Sequence, residues 1–91
     1  MYIRKNQPIF TLAVYELTDG TREDFRISGS FLDATDASHA GTLECQYYVD
    51  RGYRLEYNGW ANGFGGKNKY VWRLSRGNDI VSIIWSINPL S

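Results

Sequence analysis

Hydrophobic and polar positions along this chain change period several times, and each change marks an element. From Ile9 to Leu17, Phe10, Leu12 and Val14 alternate with Ile9, Thr11, Ala13 and Tyr15. Both sets are largely apolar, which is the pattern of an interior strand. Thr18-Asp19-Gly20-Thr21 then reads as a hairpin turn, because Asp-Gly accepts the positive φ of a type I′ turn. The return strand, Arg22 to Ser28, sets Phe25 and Ile27 on one side and Asp24, Arg26 and Ser28 on the other. Its apolar side is expected in the core and its polar side in water.

A helical period follows. Asp33 or Thr35 can cap the first turn, and Asp33 and Asp36 suit the positive end of the helix dipole. Ala37, Gly41, Cys45, Tyr48 and Val49 recur at three- and four-residue spacing as the inner stripe. The small residues at its start let the axis sit close to a sheet. Gly52 is expected to end the helix in a left-handed conformation. Leu43 and Tyr47 form an i,i+4 pair on the opposite flank.

Three more strands complete the pattern. Tyr53, Leu55 and Tyr57 alternate with Arg54, Glu56 and Asn58 up to Trp60. Tyr70, Trp72 and Leu74 alternate with Val71, Arg73 and Ser75. After a turn at Arg76-Gly77-Asn78-Asp79, Val81, Ile83, Trp85 and Ile87 alternate with Ile80, Ser82, Ile84 and Ser86. Pro89 closes the run, since proline cannot donate to a ladder. The order β-β-α-β-β-β predicts an α+β fold in a single domain over residues 1–91. Its simplest form is two layers, an antiparallel sheet with the helix packed on one face.

Between Asn58 and Lys69 lies the sequence Asn-Gly-Trp-Ala-Asn-Gly-Phe-Gly-Gly-Lys-Asn-Lys, which is rich in glycine and carries two large aromatics. Loops lie at the surface and often carry function. Trp60 and Phe64 therefore either fold back on the core or are presented to a partner. The phosphate-loop pattern is absent, because Gly66-Lys67 is followed by Asn68 and then by a strand.

Composition narrows the chemistry. The single cysteine, Cys45, excludes an intramolecular disulfide and a thiolate cluster for zinc. His39 is the one histidine and has no second ligand or nucleophile at useful spacing. No catalytic role, metal or cofactor is expected. No apolar run reaches the roughly 18 residues of a membrane span, and a soluble cytoplasmic protein is expected. Net charge is zero but divided. Eight acids and two bases lie between Glu16 and Asp50, whereas six bases and two acids lie from Arg51 onward.

These features lead to a non-enzymatic protein-binding module, with Trp60, Asn62, Phe64, Lys67, Lys69, Leu43 and Tyr47 as partner-binding residues. Small size and bipolar charge are also the marks of phage or mobile-element inhibitors, anti-CRISPR proteins among them, that occupy a host protein's surface. A second reading is single-stranded nucleic-acid binding by Trp60, Phe64, Tyr70 and Trp72 with Lys67, Lys69, Arg73 and Arg76. A third is small-ligand binding beside the loop. An acidic helix face of Asp33, Asp36, Glu44 and Asp50 raises phosphate-backbone mimicry as a minor variant. A homodimer is also compatible with the pattern.

Overall fold

The computed structural model describes residues 8–61 and 69–89. Five strands and one helix follow in the order β1 (Pro8–Thr18), β2 (Arg22–Phe31), α1 (Ala34–Val49), β3 (Arg54–Trp60), β4 (Lys69–Arg76) and β5 (Asp79–Pro89). The strands form one antiparallel sheet in the order β2-β1-β5-β4-β3, and α1 packs on one face. The expected α+β two-layer arrangement is what the chain adopts.

Local chemistry explains the joints. Asp19 (φ 55) and Gly20 (φ 74) both take positive φ, as a type I′ turn requires, and Thr21 N–H donates to the Thr18 carbonyl at 3.1 Å. Asp33 caps α1 by accepting from Asp36 N–H at 2.8 Å. At the other end Gly52 takes φ 91. Gly52 N–H then reaches the Val49 carbonyl and Tyr53 N–H the Tyr48 carbonyl, the two bonds of a Schellman motif.

The core lies between α1 and the sheet. Phe10, Leu12 and Val14 from β1, Trp72 and Leu74 from β4, and Val81, Ile83 and Trp85 from β5 meet Ala37, Cys45 and Tyr48 of the helix. Burial pushes the Cys45 thiol pKa up, so this side chain acts as a small hydrophobe rather than a thiolate. The inner stripe is as expected at Ala37, Gly41, Cys45 and Tyr48, but Val49 is exposed because the helix ends there and turns away.

Two other expectations fail, and both failures involve edge strands. In β2, Phe25 and Ile27 are 55% and 54% exposed and face away from the helix. The side turned toward α1 is instead polar. Arg26 grips Glu44 of the helix through two bonds of 2.7 and 3.1 Å, and Ser28 donates to the same carboxylate at 2.6 Å. In β3 the alternation breaks at Glu56, where the pairing with β4 slips between Leu55 and Tyr57. Tyr57 consequently lies opposite Arg73 on the uncovered face, while Asn58 and Trp60 turn toward the helix.

Each edge strand therefore carries a β-bulge, and each bulge re-aims an aromatic. The register slip between β1 and β2 at Leu12/Ala13 brings Phe31 opposite Phe10 and onto the core. The slip in β3 brings Trp60 opposite Tyr70 on the helix side.

Candidate functional site

The sheet face opposite α1 is covered by no other element among the described residues. Its surface follows from the register. Leu17, Tyr15, Ala13 and Thr11 of β1 point to it, and they lie beside Glu23, Phe25, Ile27 and Ser30 of β2. On the other side of β1, Ile80, Ser82, Ile84 and Ser86 of β5 continue the same rows into Ser75, Arg73, Val71 and Lys69 of β4. Arg54, Tyr57 and Gly59 of β3 complete three of them.

This surface is apolar in the middle and charged at its sides. Tyr15 and Tyr57 are both 47% exposed, and the Tyr15 ring packs on Phe25 at 4.8 Å. Tyr57 is fixed by donating its hydroxyl to the Trp60 carbonyl at 2.6 Å. Tyr15, Tyr57, Lys69, Val71, Arg73 and Ile84 line a groove of about 490 Å³. A second groove, about 570 Å³, runs on toward Glu23 and Phe25.

A different cleft opens on the helix side. Trp60, Trp72, Trp85, Tyr70 and Asn58 face Ser38 and Thr42 of α1 across about 480 Å³. The rings form one edge-on cluster, with Trp60 meeting both Tyr70 and Trp85 at 5.4 Å. Trp85 Nε1–H donates to Ser38 Oγ at 3.1 Å, which ties the cluster to the helix.

The expected binding residues do not gather at one place. Trp60 belongs to the end of β3 rather than to a loop, and it borders the helix-side cleft. Lys69 begins β4 and lies on the uncovered sheet face. Leu43 and Tyr47 are exposed on the outer surface of α1, where Arg51 sits over the Tyr47 ring at 3.5 Å. Asn62, Phe64 and Lys67 lie outside the described residues.

The nucleic-acid constellation also divides. Tyr70 and Trp72 face the helix, whereas Lys69 and Arg73 lie on the opposite side of the sheet. Arg76 is engaged with the Arg51 carbonyl at 2.8 Å and lies over the Tyr53 ring. The acidic helix residues are likewise largely occupied. Asp33 caps the helix, Asp50 accepts from Gln46, and Glu44 holds Arg26 and Ser28. The Arg26 guanidinium keeps the Glu44 carboxyl pKa below its ordinary value, with Ser28 adding to the effect. Nearby, the Tyr48 hydroxyl donates to Glu16, and its pKa is pushed up to about 12, chiefly by burial.

Pattern reading passed over Tyr15, Phe25, Ile27 and Tyr57 as surface residues. One signal for them was present. Glu44 is a charged residue flanking the inner stripe, and it needs a cation from the strand beneath. Arg26 supplies that cation, which turns Phe25 and Ile27 outward.

Fold and surface together define a two-layer α+β domain in which the helix covers one sheet face and no other described element covers the second. No group of three or more His, Cys, Asp or Glu able to hold a metal occurs among the described residues, and no helix there is long and apolar enough to cross a membrane. No protein-family model, curated protein or solved structure matches the chain.

Proposed function

We propose that this chain is a non-catalytic protein-binding module that engages its partner through the uncovered face of its sheet. The observation that carries this reading is the exposure of Phe25 and Ile27 beside Tyr15 and Tyr57 on that face. Soluble domains seldom leave neighbouring large apolar groups in water without a use, since a contiguous apolar patch favours association. The patch combines exposed tyrosines with Arg73, residue types that dominate binding energy at interfaces. A module of this size works by occupying a surface, which is how small phage and mobile-element inhibitors of the anti-CRISPR kind act.

The test compares the wild-type chain with a Phe25→Ser/Ile27→Ser variant as bait in a pull-down, after confirming equal melting curves. Loss of the captured protein from the variant supports the reading. Capture that survives the double change but disappears with Trp60→Ala places the binding surface at the helix-side cleft instead.

One observation favours a second reading. Tyr15, Tyr57, Lys69 and Arg73 share one groove, and aromatics interleaved with bases are how single-stranded nucleic acid is held. Glu23 and the apolar Phe25 and Ile27 on the same face, together with a pI near 6.5, weigh against it. Titration of labelled single-stranded DNA and RNA at low salt decides. Binding that weakens steeply with salt, and less steeply in Lys69→Ala/Arg73→Ala, would favour nucleic acid over protein.

A further inference from the structure

We propose that the helix-side cleft is a binding site for a neutral saccharide, a function separate from the protein-binding face and on the opposite side of the sheet. The argument comes from the two unlike walls of the cleft. One wall is aromatic. Trp72 and Trp85 are buried and form its floor, while Trp60, 47% exposed, and the partly buried Tyr70 supply most of its accessible ring surface. The other wall is hydroxylic. Thr35, Ser38 and Thr42 recur at three- and four-residue spacing along one side of α1, a row of hydroxyls roughly 10 Å long.

Much of that polar capacity is unused. Among the described residues, the side chains of Thr35, Asn58 and Tyr70 make no hydrogen bond. Ser38 Oγ accepts from Trp85 but keeps its own proton to donate. Thr42 Oγ1 donates to the Ser38 carbonyl at 2.9 Å but keeps its lone pairs. Asn58 offers a donor and an acceptor together. The cleft measures about 480 Å³, within the roughly 300–1,000 Å³ that ligand pockets occupy.

A pyranose ring matches both walls at once. Its carbon-bound hydrogens carry partial positive charge and lie against the negative faces of aromatic rings. Its hydroxyls stand at the rim, where they donate and accept as the groups facing them do.

Charge and ring geometry narrow the choice. No described residue lining the cleft is charged, so a phosphate or carboxylate would find no ion pair there. A quaternary ammonium is held where several ring faces surround one point. Here the rings close on each other instead. Tyr70 and Trp85 lie nearly parallel (9°) with centroids 5.8 Å apart, less than the roughly 7 Å that a group in van der Waals contact with both faces needs. Trp60 meets both edge-on. The cluster is therefore a wall, not a cage. A nucleobase would stack on that wall too, but its few polar edge atoms leave most of the hydroxyl row unmatched.

Titration of the whole chain with maltotriose, cellotriose and triacetylchitotriose at millimolar concentration, followed by tryptophan fluorescence and by amide and indole NMR shifts, tests the site. The expected result is saturable binding of at least one trisaccharide, with shifts centred on the Trp60 indole and the Asn58 side-chain amide. Thr35→Val and Asn58→Ala should each weaken it roughly two- to tenfold, the loss of one hydrogen bond, with unchanged melting curves. Both positions are exposed, so these variants keep the fold where Trp60→Ala loses part of its stability. Tetramethylammonium chloride and adenosine stand for the cationic and planar alternatives.

Absence of saturable binding by all three trisaccharides overturns the proposal. So does binding that shifts the Tyr15 and Tyr57 amides instead, or that neither variant weakens, since the sugar then sits elsewhere. Saturation by tetramethylammonium or adenosine with none by the sugars overturns it in favour of that class. None of these outcomes touches the partner capture read through Phe25→Ser/Ile27→Ser, so the two proposals fail separately.

Discussion

Gly41 of the helix rests directly against the indole of Trp72, so that a β-carbon at position 41 would overlap the ring atoms Cη2 and Cζ3. The tip of a tryptophan can sometimes swing aside, but this ring is buried and meets Tyr70 edge-on at 4.9 Å. We therefore expect Gly41→Ala to destabilise the domain by about 1–3 kcal/mol from overpacking. Helix propensity alone favours alanine by roughly 0.8–1 kcal/mol, so the two effects have opposite signs. A thermal or urea melt reads the net result directly. An equal or higher midpoint would show that α1 can lift from the sheet at no cost.

Acid should loosen the tie between α1 and β2. The Glu44 carboxyl has its pKa lowered in the folded chain by Arg26, and the linkage sign follows from that direction. The contribution is present above the carboxyl's ordinary pKa and is lost as pH falls through the lowered folded value. Arg26 is about half exposed, so the pair is screened and contributes no more than about 1 kcal/mol. Glu44→Gln should lower stability by that order at neutral pH and converge with wild type at the acid end. Parallel melts from neutral to strongly acidic buffer check this, and curves that stay equally separated at every pH would exclude the pair as the cause.

At the β1–β2 turn, the cost of a side chain is conformational alone. Gly20 has φ 74, and a β-carbon there would meet nothing within 4 Å. Gly20→Val should cost about 1–2 kcal/mol because a β-branched residue resists positive φ. Gly20→Asn, which tolerates that region, should cost clearly less. Equal melts for the two variants would mean that the turn does not hold the hairpin register.

Most of the fold is legible in the sequence because β1, β4 and β5 keep a period of two. The sets Phe10/Leu12/Val14, Trp72/Leu74 and Val81/Ile83/Trp85 are the ones buried beneath the helix, although Ala13 and Val71 are also buried on the other face. The hidden part is parity in the edge strands. Nothing in the residues of Arg22–Ser28 states which side faces the helix. The apolar side is the usual choice, yet the Arg26–Glu44 pair decides the other way. A bulge at Glu56 likewise leaves no mark in the pattern, although it changes the face of every later residue in β3. Since the uncovered sheet face takes its edge residues from the unexpected side of both strands, the fold could be read from the pattern and the make-up of that face could not.

Trp60 tests the consequence of that second bulge. Its ring is 47% exposed, yet its other side meets Tyr70 and Trp85 edge-on, so it is neither a free anchor nor a full core residue. Complete burial of a tryptophan would make truncation to alanine cost roughly 3–5 kcal/mol. Two edge contacts and partial burial should bring the cost of Trp60→Ala to about 1–2 kcal/mol, with the fold retained. Tyr57→Phe should add to this picture, because it removes the hydroxyl bond to the Trp60 carbonyl while leaving the ring in place. Circular dichroism melts of both variants, with tryptophan fluorescence to follow the cluster, measure the effect. A Trp60→Ala chain as stable as wild type would mean that the bulge aims this ring at a binding partner. Loss of folding would mean that the ring closes the core.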